Sequence, residues 1–125
     1  MAVFLSDEWL QDFNDALVGS GKPPVDEQIV IEQEITSNAD TSRYRIVLDP
    51  AAASVTTETE GEPTVRFSQS RAVAEAIAQG RTSAHEAFML GQLEVTGDTR
   101  ALVGQAEVSA WLAAAMESLR SSTTW

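Results

Sequence analysis

The chain has 125 residues, an apolar fraction of 43%, no cysteine and a formal net charge of −11. This length favours one domain, 1–125, with a hydrophobic core of its own, and the apolar fraction argues against disorder. The absence of cysteine excludes a disulfide scaffold, a thiolate nucleophile and a cysteine metal site.

The first predicted helix begins after Ser6, whose hydroxyl can cap it, and Asp7 and Glu8 follow at the positive end of the helix dipole. Its apolar residues recur at helical spacing and form one stripe, which consists of Trp9, Leu10, Phe13, Ala16 and Leu17. We predict that this stripe is core. The glycines of segment 19–21 and the prolines that follow end the helix.

Four strands are predicted next, over residues 25–36, 43–48, 53–60 and 64–68, with turn-forming residues between them. One face of the first strand is apolar except where Gln33 interrupts it. Its opposite face carries Glu32 and Glu34, which are typical of a solvated edge. A cross-strand pair with Arg43 or Arg45 contributes under about 1 kcal/mol if exposed.

Two short helices follow. The first is predicted to begin at Ser70 and to stop at Gly80. The second begins with the capping box of Ser83 and Glu86 and ends at Gly91, since glycine takes the left-handed conformation at no steric cost.

A fifth strand, 92–96, alternates polar and apolar residues and leads to a last helix. That helix carries an unbroken apolar stripe at positions i, i+3, i+4, i+7, i+8 and i+11, namely Val108, Trp111, Leu112, Ala115, Met116 and Leu119. Residues 121–125 are predicted to be a frayed tail. The order of elements therefore predicts an α+β fold, with a five-stranded, mainly antiparallel sheet covered by helices on one face.

The sequence contains few groups that could carry catalysis. His85 is the single histidine, and without cysteine or a second histidine it cannot build a usual zinc site. There is no Gly-x-Ser-x-Gly elbow and no glycine-rich phosphate loop. We therefore expect no catalytic residue, no metal and no cofactor.

The net charge is concentrated in residues 1–62, with −10 there against −1 in residues 63–125. Such a surface repels phosphate groups, so we expect neither nucleic-acid binding nor stable membrane insertion. The first interpretation of this charge is that it keeps the protein soluble. The alternative is that the acidic half binds a basic protein partner. No apolar run reaches the ~20 residues of a membrane span, and the N-terminus lacks signal-peptide features, so we expect a cytoplasmic protein.

The segment Phe88-Met-Leu-Gly-Gln-Leu-Glu-Val-Thr-Gly-Asp98 is similar to the C-terminal motif of sterol carrier protein 2 domains. Those domains typically show an apolar pair, then Gly-Lys-Leu, and then Gly-Asp before their last helix. Gln92 stands here where the family usually has lysine, which leaves a headgroup contact at this position in doubt. The resemblance covers nearly the whole chain, and it implies that the fourth strand crosses over to pair with the first.

The resemblance further implies non-enzymatic binding or transfer of a sterol, fatty acid or acyl-CoA. The ligand would lie in a tunnel between the sheet and the C-terminal helices. The lining residues expected from strand five and the last helices are Phe88, Met89, Leu93, Val95, Leu102, Val108, Trp111, Leu112, Ala115, Met116 and Leu119. The alternative is a small enzyme, or an enzyme-associated domain, that uses the same apolar cavity for isomerisation or cyclisation. A carboxylate with a perturbed pKa inside the cavity would favour the enzyme.

Overall fold

The computed structural model describes residues 2–38, 40–101 and 106–125. In chain order the strands are β1 (Ala2–Val3), β2 (Ile29–Ser37), β3 (Asp40–Leu48), β4 (Ala53–Thr56), β5 (Val65–Ser70), β6 (Leu93–Gly97) and β7 (Thr123–Thr124). The helices are α1 (Asp7–Gly19), α2 (Arg71–Ala78), α3 (Ala84–Met89) and α4 (Ala106–Leu119), with short 3₁₀ turns at Thr99–Ala101 and Arg120–Ser122. None of the helices within the described ranges combines the length and hydropathy that a bilayer crossing requires.

Three helices begin as the sequence predicts. The hydroxyls of Ser6, Ser70 and Ser83 each accept a hydrogen bond from the backbone N–H three residues later, at 3.0–3.2 Å. These bonds satisfy N–H groups that have no partner inside the helix. Gly91 follows α3 with a φ of 74°, which confirms the left-handed turn expected there.

The main sheet has the strand order β4-β3-β2-β5-β6. Its central strand, β2, pairs antiparallel with β3 and parallel with β5, where Ile31 lies opposite Val65. The two outer pairings, β3 with β4 and β5 with β6, are antiparallel. The α+β fold and the mainly antiparallel sheet are thus confirmed, and the sheet is mixed because the fourth predicted strand crosses over to the first.

The helices pack on the sheet face that carries the isoleucines of β2. Helix α1 contacts β4 and α4, and helix α2 contacts β2 and β5. The resulting core contains the fully buried Trp9, Phe13 and Leu17 of α1 together with Leu48 of β3. Strand β2 begins at Ile29, four residues later than predicted, because the N–H of Val25 is bonded at 2.9 Å to the carbonyl of Pro23 in a turn.

The opposite face of the sheet holds an ion cluster around a buried carboxylate, which we call the Glu32 cluster: Glu32, Arg45 and Arg66. Glu32 is only 1% exposed, so its prediction as a solvated edge is wrong. Arg45 and Arg66 each donate from Nε to one of its carboxylate oxygens, at 3.0 and 2.6 Å. Arg45 also donates to the backbone carbonyls of Thr59 and Glu60, so this segment covers the Arg45 guanidinium. The predicted pairing across β2 and β3 is confirmed, and it includes a more exposed pair of Arg43 with Glu34 at 3.0 Å.

The path of residues 59–60 explains why β4 is shorter than predicted. The strand ends at Thr56, opposite Arg45, instead of continuing to Glu60. Beyond that point the carbonyls of residues 59 and 60 face the Arg45 guanidinium instead of a neighbouring strand.

The prediction of a frayed tail is wrong at residues 123–124, because these residues form β7 and pair in parallel with β1. Hydrogen bonds of the Thr123 side chain explain why this tail is held in place. Its hydroxyl accepts a hydrogen bond from Nε1 of Trp9 at 3.2 Å and donates to the carbonyl of Leu119 at 2.6 Å. Phe4 also lies against Trp125, with ring centroids 5.1 Å apart. The tail is thus attached to the aromatic core.

Candidate ligand-binding cavity

A cavity of about 320 Å³ lies between the inner face of the sheet and helices α2 and α4. This volume is at the lower end of the range for small-molecule sites, roughly 300–1,000 Å³. The sheet contributes the apolar side chains of Ile31, Ile35, Ile46, Phe67 and Leu93. The helices contribute Phe13, Ala74, Ile77, Ala78, Val108, Leu112 and Met116. The wall is therefore mainly aliphatic.

Polar lining residues mark the opening of this cavity. Ser83, His85 and Ser109 line it and are exposed, so this part of the wall borders solvent. Arg120 also lines it, and its Nε donates to the carbonyl of Ala78 at 2.8 Å. The Arg120 guanidinium lies on Gly80, where a Cβ atom would come within 2.8 Å of it. A side chain at position 80 would thus displace the arginine.

Two glutamines interrupt the apolar wall on the sheet side. Nε2 of Gln69 donates to Oε1 of Gln33 across 2.7 Å, and Gln69 is 8% exposed. Its own Oε1 is buried and has no hydrogen-bond partner among the described residues. Tyr44 lies opposite Gln33 in the β2–β3 ladder and also lines the cavity. Burial raises the pKa of its hydroxyl, so the phenol stays protonated at neutral pH.

Four residues expected to line a ligand site do line this cavity: Leu93, Val108, Leu112 and Met116. The other members of the α4 stripe lie elsewhere. Ala115 and Leu119 are buried in the core, and Trp111 donates from its indole Nε1 to the carbonyl of Ser20 at 3.2 Å, which ties α4 to the end of α1.

The other expected residues that the structure describes do not line the cavity. Phe88 and Met89 are 49% and 69% exposed on α3, because the buried side of that short helix is Ala87. Val95 is half-buried on β6 opposite Phe67. Leu102 lies outside the described residues.

Sequence reasoning missed the contribution of the sheet and of α2. Ile31, Ile35 and Ile77 were not among the residues predicted to line the site, because periodicity shows which side is buried and not whether the space beside it is filled. One signal was present in the sequence. Gln33 is a polar residue on an otherwise apolar strand face, and such a position requires a polar partner.

The described lining residues include no aspartate or glutamate. The carboxylate with a perturbed pKa, that of Glu32, belongs to the opposite face of the sheet. Burial alone would raise the pKa of Glu32, but the hydrogen bonds and charges of Arg66 and Arg45 outweigh burial and hold it below its usual range. No group of three or more potential metal ligands is found within the described ranges. The arrangement can therefore enclose an apolar molecule, with polar contacts at the opening and at the glutamine pair.

Comparisons with known proteins agree with this geometry. The family model of the SCP-2 sterol transfer family matches residues 27–108, and no curated protein sequence matches the chain. The conserved hypothetical protein TT1886 of Thermus thermophilus has a TM-score of 0.70 at 19% identity, over 100% of this chain and 93% of its own.

A crystal structure of sterol carrier protein 2 has a TM-score of 0.66 at 18% identity, covering 90% of this chain and 96% of its own. The solution structure of palmitated SCP2L2 from Aedes aegypti has a TM-score of 0.64 at 20% identity, covering 84% of this chain and 95% of its own. At these identities the structural matches establish a shared fold.

Proposed function

This chain belongs to the SCP-2 sterol transfer family, and from this membership we propose that it binds and carries an apolar lipid without transforming it. The observation that carries the proposal is the cavity of about 320 Å³ with its mainly aliphatic wall. The candidate ligands are a sterol, a fatty acid or the acyl chain of an acyl-CoA. The solved SCP2L2 of Aedes aegypti is the palmitated protein, which supports an acyl chain as a ligand for this fold.

The binding energy available in such a cavity is sufficient for a carrier. Burial of apolar surface gains about 25 cal/mol per Å². An acyl chain that buries roughly 300 Å² therefore gains about 7 kcal/mol before the entropy costs of association. Binding in the micromolar range is consistent with this gain, and a carrier must also release its ligand.

Carriage is favoured over catalysis by the position of the carboxylates. A carboxylate that acts as general acid or base in isomerisation or cyclisation must lie next to the ligand. Among the described residues, however, the cavity wall contains no carboxylate, and Glu32 lies on the other face of the sheet, bound by Arg45 and Arg66. We therefore propose a non-enzymatic role.

Replacing Met116 by tryptophan is expected to fill the cavity and weaken binding of palmitate at least about tenfold, since the larger side chain occupies the ligand's volume. The free energy of unfolding should change little, because Met116 borders open space. Calorimetric titration and urea denaturation measure the two quantities. Met89→Trp is the matched control: Met89 is 69% exposed on α3, and this variant should bind like the wild type.

The opposite result would contradict the proposal. If wild-type protein binds no palmitate or sterol, and Met116→Trp loses about 1–3 kcal/mol as overpacked cores do, the space is part of a filled core and the lipid-carrier function fails.

A further inference from the structure

The glutamine pair on the cavity wall leaves one buried hydrogen-bond acceptor without a donor. Gln69 donates to Gln33, but Oε1 of Gln69 is itself buried and unpaired among the described residues. A buried polar group without a partner destabilises a fold, whereas an apolar residue of the same shape would not. Packing alone therefore does not explain why a glutamine occupies position 69.

The surroundings of the pair are apolar. In the parallel ladder of β2 and β5, Gln33 lies opposite Phe67, and Gln69 lies opposite Ile35. All four side chains line the cavity. On the sheet, a ligand in the cavity therefore meets polar side chains at this glutamine pair and at the neighbouring Tyr44, among aliphatic and aromatic residues.

The charges on the cavity wall limit which ligand groups can bind at the glutamine pair. Arg120 is at the opening, with its Nε already bonded to the carbonyl of Ala78. An ionised headgroup would be drawn to that opening, since burying a carboxylate away from a cation is costly. A carboxylate only accepts hydrogen bonds, so it cannot pair with Oε1 of Gln69, which is also an acceptor. A hydroxyl can donate to Oε1.

We infer that Gln69, positioned by Gln33, is a specificity-determining residue that accepts a hydrogen bond from a neutral hydroxyl of the bound lipid. The cavity then selects a lipid alcohol over its ether and over the corresponding ionised acid. This inference rests on the proposed lipid-carrier function and assigns a ligand class to the same site.

The test uses three probes that share one alkyl chain: 1-decanol, its methyl ether and decanoate at neutral pH. Wild-type protein is expected to bind the alcohol about tenfold more tightly than the ether, the effect of one hydrogen bond to a buried acceptor. Decanoate should bind more weakly than the alcohol. In Gln69→Leu the ratio of alcohol to ether affinity should fall to about one, while ether affinity is retained.

Two further variants support the measurement, made by calorimetric titration. Gln69→Met keeps the length of the side chain and should show the same loss of discrimination, so the result does not depend on how well one variant folds. Gln28→Leu is the matched control, because Gln28 is exposed and precedes β2. It should keep the wild-type ratio.

The outcomes separate this inference from the carrier function. If wild-type protein binds alcohol and ether equally, or if the ratio persists in Gln69→Leu, the role of Gln69 is overturned while lipid binding stands. Tighter binding of decanoate than of decanol would overturn it as well. If the wild type binds none of the three probes or palmitate, both proposals fall.

Discussion

Replacing Glu32 by alanine is expected to lower the free energy of unfolding by about 3–5 kcal/mol, the usual cost of removing one partner of a buried ion pair. Arg45 is 6% exposed, and its Nε bonds to Glu32 at 3.0 Å. The alanine variant therefore leaves a buried guanidinium without its countercharge. Urea denaturation followed by circular dichroism measures the loss.

The matched control is Glu34→Ala, two residues away on the same face of β2. Its partner Arg43 has a side chain 52% exposed, at the same 3.0 Å separation. Because solvent screens this pair, the control should lose less than about 1 kcal/mol. Equal losses in the two variants would show that burial of the Glu32 cluster has no energetic consequence.

The same cluster should make stability depend on acid. The pKa of Glu32 is held below its usual value in the folded protein, so folding favours the ionised form. Its contribution is fully present above the unfolded-state pKa of about 4.3 and is lost as the pH falls through the lower, folded-state pKa. Glu32→Gln lacks this titration. Its unfolding free energy should therefore fall less than that of the wild type when the pH is lowered below about 4.

Replacing a leucine by alanine at two positions should show that the core around Leu17 is filled and that the space beside Leu112 is not. Leu17 of α1 is 0% exposed, and Leu17→Ala is expected to cost about 3–5 kcal/mol, since it removes a buried side chain and leaves a new cavity. Leu112 of α4 already borders the ligand cavity. Leu112→Ala makes no cavity in a closely packed region, so it should cost below about 2 kcal/mol.

The two leucine variants make the same chemical change within a helix, so helix propensity cancels in the comparison. Thermal and urea denaturation of both proteins give the difference directly. Similar losses at both positions would mean that Leu112 is as closely packed as Leu17, and the ligand cavity would then be filled by side chains.

Much of the fold could be predicted because its signals are local. Ser6, Ser70 and Ser83 cap their helices through bonds that span three residues. The alternation of β2 and β3 predicted the pairing of glutamates with arginines. The burial of Glu32 could not be predicted in this way. It depends on segment 59–61, whose path over the outer face is fixed by tertiary contacts with Arg45.

The candidate site was predicted only in part, for a geometric reason. The α4 stripe spans more than 100° of the helix surface, so it reaches two environments. Val108, Leu112 and Met116 are four residues apart and face the cavity, whereas Ala115 and Leu119 face the core. The apolar pattern in the sequence is the same for residues that face the cavity and for residues that face the core, so it could not distinguish the two. Residues from β2 and β5 line the cavity together because the parallel crossover places these two strands side by side.

That crossover also has a consequence for the order of folding. The hairpin of β2 and β3 joins neighbouring segments, but the β2–β5 ladder joins residues such as Ile31 and Val65, which are far apart in the chain. Distant contacts form late because closing the intervening loop costs entropy. We therefore expect the wall that holds a ligand to be completed near the end of folding. A bound lipid should thus slow the rate of unfolding and leave the rate of folding nearly unchanged.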